Sequence, residues 1–186
     1  MTYTRGSDDA AALLAELLTS HHQTIAVAEC ATGGLASSLL TEVVGSSAWY
    51  VGGGITYSAL ARCHLADVGS EVAAQHGAVS EEMALALARG IRARLGADWG
   101  IAETGIAGPQ QGRRSPKPVG LACLAVVGGA GDARIEHSST FLSTATDRPG
   151  NKRAFAEALL RMAIEVIGES LGGPLGRTVG EAPPGN

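Results

Sequence analysis

The chain has 186 residues with a formal net charge of -4, and 45% of them are hydrophobic. A sequence pI near 5.7, with no dense lysine or arginine run, argues against nucleic acid or an anionic membrane as a main partner, and no stretch nears the roughly 20 apolar residues of a membrane span. Three scattered cysteines, Cys30, Cys63 and Cys123, fit neither a disulfide framework nor a zinc ligand set and suit a reducing cytoplasm.

Ser7 followed by Asp8-Asp9 reads as a helix N-cap, and Leu13, Leu14, Leu17 and Leu18 form the apolar stripe of a helix ending near Ser20. Ile25 to Ala28 suit a short buried strand. It delivers Glu29, Cys30 and Thr32 onto a turn marked by Gly33 and Gly34, and a helix follows from about Leu35 to Glu42. Trp49 to Tyr57 reads as a strand interrupted by Gly52-Gly53-Gly54, which fits a bulge, a ligand-facing edge or close packing against another backbone. Ser58 caps a short helix through Leu65, and Glu71 to His76 form another. Ser80 caps a long helix with Glu81 and Glu82 in its first turn and Met83, Leu87, Ile91 and Leu95 on one stripe.

Asp98 to Glu103 is the next strand, followed by the loop from Thr104 to Pro116. Lys117-Pro-Val-Gly120 opens an apolar strand through Val127, Gly128 to Gly131 turn the chain, and Arg134 to Phe141 return as its hairpin partner. A last helix spans Arg148 to Gly168, with Phe155, Leu159, Met162, Ile164 and Val166 available for its buried side. The Gly/Pro-rich residues 172–186 are expected to be a disordered tail behind a single domain over residues 1–171. This alternation predicts an α/β fold, a three-layer α/β/α sandwich around a mostly parallel mixed sheet with one antiparallel strand. Ligands of such sheets sit beyond the C-terminal strand ends, where the loops are Cys30 to Gly34, Tyr57 to Arg62 and Thr104 to Lys117.

Cys30 is the nucleophile candidate, because a helix N-terminus lowers a thiol from about 8.5 into the range of roughly 3.5 to 7.5. The alternative is a small buried hydrophobe on a turn. Glu29 and Glu103 both end predicted strands and would converge if those strands are neighbours. Either both work as an acid/base pair, with metal binding as a lesser option, or one of them caps a turn. Lys117 and Arg113-Arg114, with glycine N–H donors, suit a single phosphate; the alternative is a solvated basic loop, which applies to Arg113 and Arg114 more than to Lys117. No metal signature is present, and none of this chemistry needs a cofactor.

Ala28-Glu-Cys-Ala-Thr-Gly-Gly34, Gly45-Ser-Ser47, Gly54-Ile-Thr-Tyr-Ser58, Gly77-Ala-Val-Ser-Glu81, Thr104-Gly-Ile-Ala-Gly-Pro109 and Lys117-Pro-Val-Gly120 together resemble the C-terminal domain of the competence/damage-inducible protein CinA. The resemblance implies a cytoplasmic homo-oligomer of the stand-alone type, acting on a small nucleotide without a cofactor. It also implies hydrolysis of the carboxamide of nicotinamide mononucleotide to nicotinic acid mononucleotide and ammonia. Matching positions implicate Tyr57 in proton transfer and Thr32, Gly33, Gly34, Thr104, Gly105, Gly108 and Lys117, beside Glu29, in substrate binding. The chain departs from the family at the reacting groups: Cys30 stands where the family has its serine nucleophile, and Arg62 where it has its lysine base. Ala31 replaces a cysteine, Gln110-Gln-Gly112 an Asp-Gly-Gly, and Glu103 a small residue or serine. An arginine stays charged and cannot be a base, so a serine beside Arg62 would be inert. A thiol needs only a stabilised thiolate, which makes Cys30 with Arg62 a coherent replacement. The expected mechanism has backbone N–H groups around Thr32 to Gly34 holding the oxyanion. The competing expectations are a nucleotide-binding paralogue without turnover and a thiol hydrolase of another small amide.

Overall fold

A computed structural model describes residues 5–109, 115–129 and 135–172. Its sheet has the strand order β2-β1-β3-β4-β5, with β1 at Ile25–Glu29, β2 at Tyr50–Ile55, β3 at Trp99–Gly105, β4 at Leu121–Gly128 and β5 at Ile135–Leu142. β1 pairs in parallel with β2 and β3, whereas β4 is antiparallel to both β3 and β5. β4 is therefore the one strand running against the rest, as the alternation and the late hairpin predict. The helices are α1 (Arg5–Ser20), α2 (Leu35–Glu42), α3 (Ala59–Ala66), α4 (Ser70–His76), α5 (Glu81–Leu95) and α6 (Arg148–Ser170).

Strand alternation divides the core. Ile25, Val27, Trp99 and Ile101 face α1, α2 and α6, while Ala26, Ala28 and Ala102 face α3 and α5. The second layer lies close because its contacts are small: a Cβ on Gly90 of α5 would fall 1.7 Å from the Ala66 carbonyl oxygen of α3, and one on Gly100 of β3 would fall 2.2 Å from the Ala88 carbonyl oxygen of α5. That is the use of a chain with 26 glycines and 4% aromatic residues.

Several expectations shift. The first helix begins at Arg5, so Ser7 lies inside it. The strand after Lys117 begins at Leu121, because Pro118 has no N–H for a ladder and Gly120 turns the chain at φ 89. The final helix buries Phe155, Leu159, Leu160, Ala163 and Ile167, with Ile164 and Val166 only partly covered, as a period of 3.6 residues requires. The Gly52-Gly53-Gly54 run serves a bulge and close packing: β2 slips register against β1 between Ile25 and Ala26, and a Cβ on Gly53 would meet the Val27 carbonyl oxygen at 2.8 Å. Gln110 to Gly112, Arg113-Arg114, Arg134 and the expected disordered tail lie outside the described residues, apart from Gly172.

Substituting Gly90 with alanine should lower stability by about 1–3 kcal/mol, because the clash is with backbone. A urea midpoint equal to that of the parent would show that α3 and α5 are not packed this closely.

Candidate active site

The parallel pairing of β1 with β3 places Glu29 and Glu103 side by side in register, pointing to the α2 and α6 side of the sheet with Ile25, Val27, Trp99 and Ile101. Both are buried. Glu29 accepts from the N–H groups of Gly34 at 2.8 Å, Ala36 at 3.0 Å and Ser37 at 2.8 Å, and from the Ser37 hydroxyl at 2.6 Å. It is the N-terminal cap of α2, supplied from eight residues before Ser37 rather than from the adjacent residue. Gly33 and Gly34 make this loop-back feasible with φ values of 62 and 98, a region other residues rarely adopt. Of the alternatives, the capping one describes Glu29. Glu103 Oε1 in turn accepts from the N–H groups of Cys30 at 2.7 Å and Thr32 at 2.8 Å. The Thr32 hydroxyl bridges the pair, 2.7 Å from Glu29 Oε2 and 2.8 Å from Glu103 Oε1.

Two of the expected oxyanion donors are therefore already engaged: the Thr32 N–H by Glu103 and the Gly34 N–H by Glu29. The α2 N-terminus is likewise occupied by Glu29, so its dipole is largely answered before it reaches the thiol.

Cys30 is buried, and α3 brings its partner. Ser58 caps α3 by accepting from the Ala61 N–H, and Arg62 Nε donates to the Thr56 carbonyl oxygen at 3.3 Å. With the guanidinium held there, Arg62 Nη2 lies 3.7 Å from Cys30 Sγ. The surroundings oppose one another. Burial pushes the Cys30 thiol above its ordinary value and the Glu103 carboxylate adds to this, while the hydrogen bond and charge of Arg62 and a hydrogen bond with Thr104 pull it down; the net direction is up. The expected acidified thiol is thus reversed, because desolvation outweighs the cation.

The remaining sequence candidates divide. Thr104 is buried and donates to the Ala78 carbonyl oxygen at 2.7 Å. Gly105 and Gly108 are close-packing positions, where a Cβ would meet the Leu121 carbonyl oxygen at 2.9 Å and Arg148 Cβ at 3.1 Å. Lys117 Nζ donates to the Val79 carbonyl oxygen. Tyr57 is exposed, and its hydroxyl accepts from Arg148 Nη2 at 3.3 Å.

Beside the turn lies a cleft of about 580 Å³ whose walls include Thr32, Gly33, Gly34, Arg148, Lys152 and Arg153. The ammonium of Lys152 stands 3.5 Å from where a Gly33 Cβ would be. Three cations of α6 thus face a glycine turn, while Lys117 does not line this cleft. Lys152 and Arg153 were not legible as site residues: on one helix they read as ordinary surface charge, and only the contact of α6 with α2 carries them to the turn. Asp147 caps α6 through the Gly150 N–H at 2.7 Å, which sets Arg148 at the rim. Among the described residues no group of three or more His, Cys, Asp or Glu is placed to hold a metal, and no helix is long and apolar enough to cross a membrane.

The sequence profile of the CinA C-terminal domain matches residues 7–167. A CinA-like protein of Chlorobium limicola is 39% identical over 170 residues, covering 91% of this chain and 39% of that protein. A second CinA-like protein, from Mycolicibacterium gilvum, is 41% identical over 166 residues, covering 89% of this chain and 36% of its own length. The chain thus spans about two fifths of the length of these relatives. Among solved structures, competence/damage inducible protein CihA from Agrobacterium tumefaciens superposes with a TM-score of 0.81 at 31% identity, covering 89% of this chain and 98% of that one. The competence damage-inducible protein A of Klebsiella pneumoniae gives 0.79 at 27% identity, covering 87% and 96%.

Because its thiol is buried and raised, Cys30 should react with iodoacetamide at pH 7 more slowly than the exposed Cys63 and gain rate as the pH rises, since a raised acid holds its proton longer. Arg62→Ala should slow it further. Mass spectrometry of the alkylated peptides checks both, and a Cys30 that reacts first at pH 7 contradicts them.

Proposed function

Because the chain belongs to the CinA C-terminal domain family, we propose that it hydrolyses the carboxamide of nicotinamide mononucleotide to nicotinic acid mononucleotide and ammonia, with Cys30 as nucleophile. The observation that carries the proposal is the Arg62 guanidinium at 3.7 Å from the Cys30 sulfur. It is the electrostatic contact that a cysteine with arginine needs in order to replace a serine with lysine.

In the proposed reaction the Cys30 thiolate bonds to the amide carbon, and the carbonyl π pair moves onto oxygen. The Thr32 and Gly34 N–H groups being engaged, that oxyanion falls to Arg62, which has further donors beyond the Nε committed to Thr56. Collapse breaks the C–N bond, and the nitrogen departs as ammonia after receiving the proton given up by the thiol. Tyr57, tied to Arg148 at the rim of the cleft, is assigned to relay it. Water then attacks the thioester, the C–S bond breaks, and the carboxylate leaves with the thiol restored. Arg148, Lys152 and Arg153 supply the charge for the phosphate, and a cleft of about 580 Å³ lies within the 300–1,000 Å³ common for small ligands. Glu29, Thr32, Glu103 and Thr104 act by holding the turn.

One observation favours a second reading, a nucleotide-binding protein without turnover: the surroundings of Cys30 raise the thiol instead of lowering it.

Ammonia release and nicotinic acid mononucleotide formation from nicotinamide mononucleotide separate the two. The parent protein should turn over, and Cys30→Ala should lose at least about 10³-fold. Cys30→Ser should be inert beside Arg62, and Cys30→Ser with Arg62→Lys should regain activity, because the pair then has a base. Nucleotide binding without turnover in the parent would establish the second reading. Lys152→Ala should raise KM about tenfold at unchanged kcat, the effect of one lost charge-assisted contact; an unchanged KM would remove the cleft from phosphate recognition.

A further inference from the structure

Glu103 uses only half of its carboxyl. Oε1 accepts from the N–H groups of Cys30 and Thr32, whereas Oε2 is buried with no partner among the described residues. The Thr32 hydroxyl lies within hydrogen-bond distance of both Glu29 Oε2 and Glu103 Oε1, yet a hydroxyl has one proton to give. The Ser37 hydroxyl accepts from the Tyr50 hydroxyl at 2.8 Å and donates its own proton to Glu29. Glu29 is therefore ringed by donors on both oxygens at the positive end of α2, a setting made for an anion. Glu103 has no such ring. Were it ionised as well, two anions would face each other across one hydroxyl, with an oxygen of one of them sealed in the core without a donor.

We propose that Glu29 and Glu103 carry one negative charge between them, on Glu29, and that Glu103 is a neutral acid that positions the Cys30 turn without opposing ionisation of the thiol. The charged and titratable groups around it agree. β1 presents Glu29, the turn presents Cys30 with Arg62 of α3 at its sulfur, and α6 presents Lys152 over Gly33. β2 contributes Tyr50, which reaches Glu29 only through Ser37, and β4 sets Leu124 at the position paired with Glu103. On the opposite face of β3, α5 packs with Met83, Ala84, Leu87 and Ala88. Burial raises the Glu103 carboxyl above its ordinary value, with the charge of Glu29 adding to it against the N–H bonds that lower it. A neutral Glu103 also removes one of the influences that raise the Cys30 thiol. The inference concerns the charge of the turn and is independent of whether the amide chemistry occurs.

The experiment compares Cys30 alkylation by iodoacetamide, in a Cys63→Ser background that removes the exposed thiol, between the parent and Glu103→Gln. Glutamine keeps an acceptor oxygen for both N–H groups and has no charge. If Glu103 is already neutral, the two rates at neutral pH agree within about twofold. If it is an anion, Glu103→Gln accelerates alkylation by about tenfold or more, the change expected for one pKa unit, and the proposal is overturned. The second readout needs no variant. With glutamate labelled at the side-chain carboxyl with carbon-13, the parent protein at pH 7 should show one carboxyl resonance in the protonated position. A spectrum in which every glutamate carboxyl is ionised overturns the proposal even if the alkylation rates agree.

Discussion

The arrangement on which the rest of this molecule depends is the parallel pairing of Glu29 with Glu103 at the C-terminal ends of two buried strands. Between them these carboxyls receive the N–H groups of Cys30, Thr32, Gly34, Ala36 and Ser37. Five consecutive-to-nearby backbone donors that a strand-to-helix turn would leave unsatisfied are thus answered from below. Burying two acids is expensive in isolation, and it is tolerated because the turn itself supplies the hydrogen bonds.

This arrangement shifts the division of labour within the site. A glycine-marked turn ahead of a helix is usually a ready anion site, but here the protein's own carboxylate occupies the helix N-terminus. Cys30 therefore draws its electrostatic support from α3, through Arg62, and not from α2. Positive charge lies to the side, on α6, where Arg148, Lys152 and Arg153 meet the glycines. Gly33 and Gly34 permit the backbone conformation and leave room for the Lys152 ammonium at the same time.

Cys30, Arg62 and Glu103, the residues where the resemblance implies a departure from the family pattern, are linked by contact. Arg62 touches Cys30, and Glu103 grips the Cys30 amide. A lysine at Arg62 could lose its proton and serve a serine; an arginine cannot, but it can hold a thiolate. A glutamate at Glu103 would work against that thiolate if it carried a charge, which is why its protonation state bears on the chemistry of the whole turn.

Sequence alone determined the layered α/β architecture, the hairpin of β4 with β5 and the Ser58 and Ser80 caps, because periodicity and capping are local properties of the chain. It also marked Cys30, Arg62, Glu29 and Glu103 through their places at predicted strand ends and through family motifs. Only the tertiary structure decided what these groups do to each other. Whether Glu29 caps α2 or faces a ligand depends on eight residues folding back over it. The direction of the Cys30 shift depends on how much of the thiol α3, β1 and β3 seal from water. Lys152 and Arg153 join the site because α6, more than a hundred residues away in sequence, packs on α2. Burial and long-range proximity are sums over the packed chain, and no window of sequence contains them.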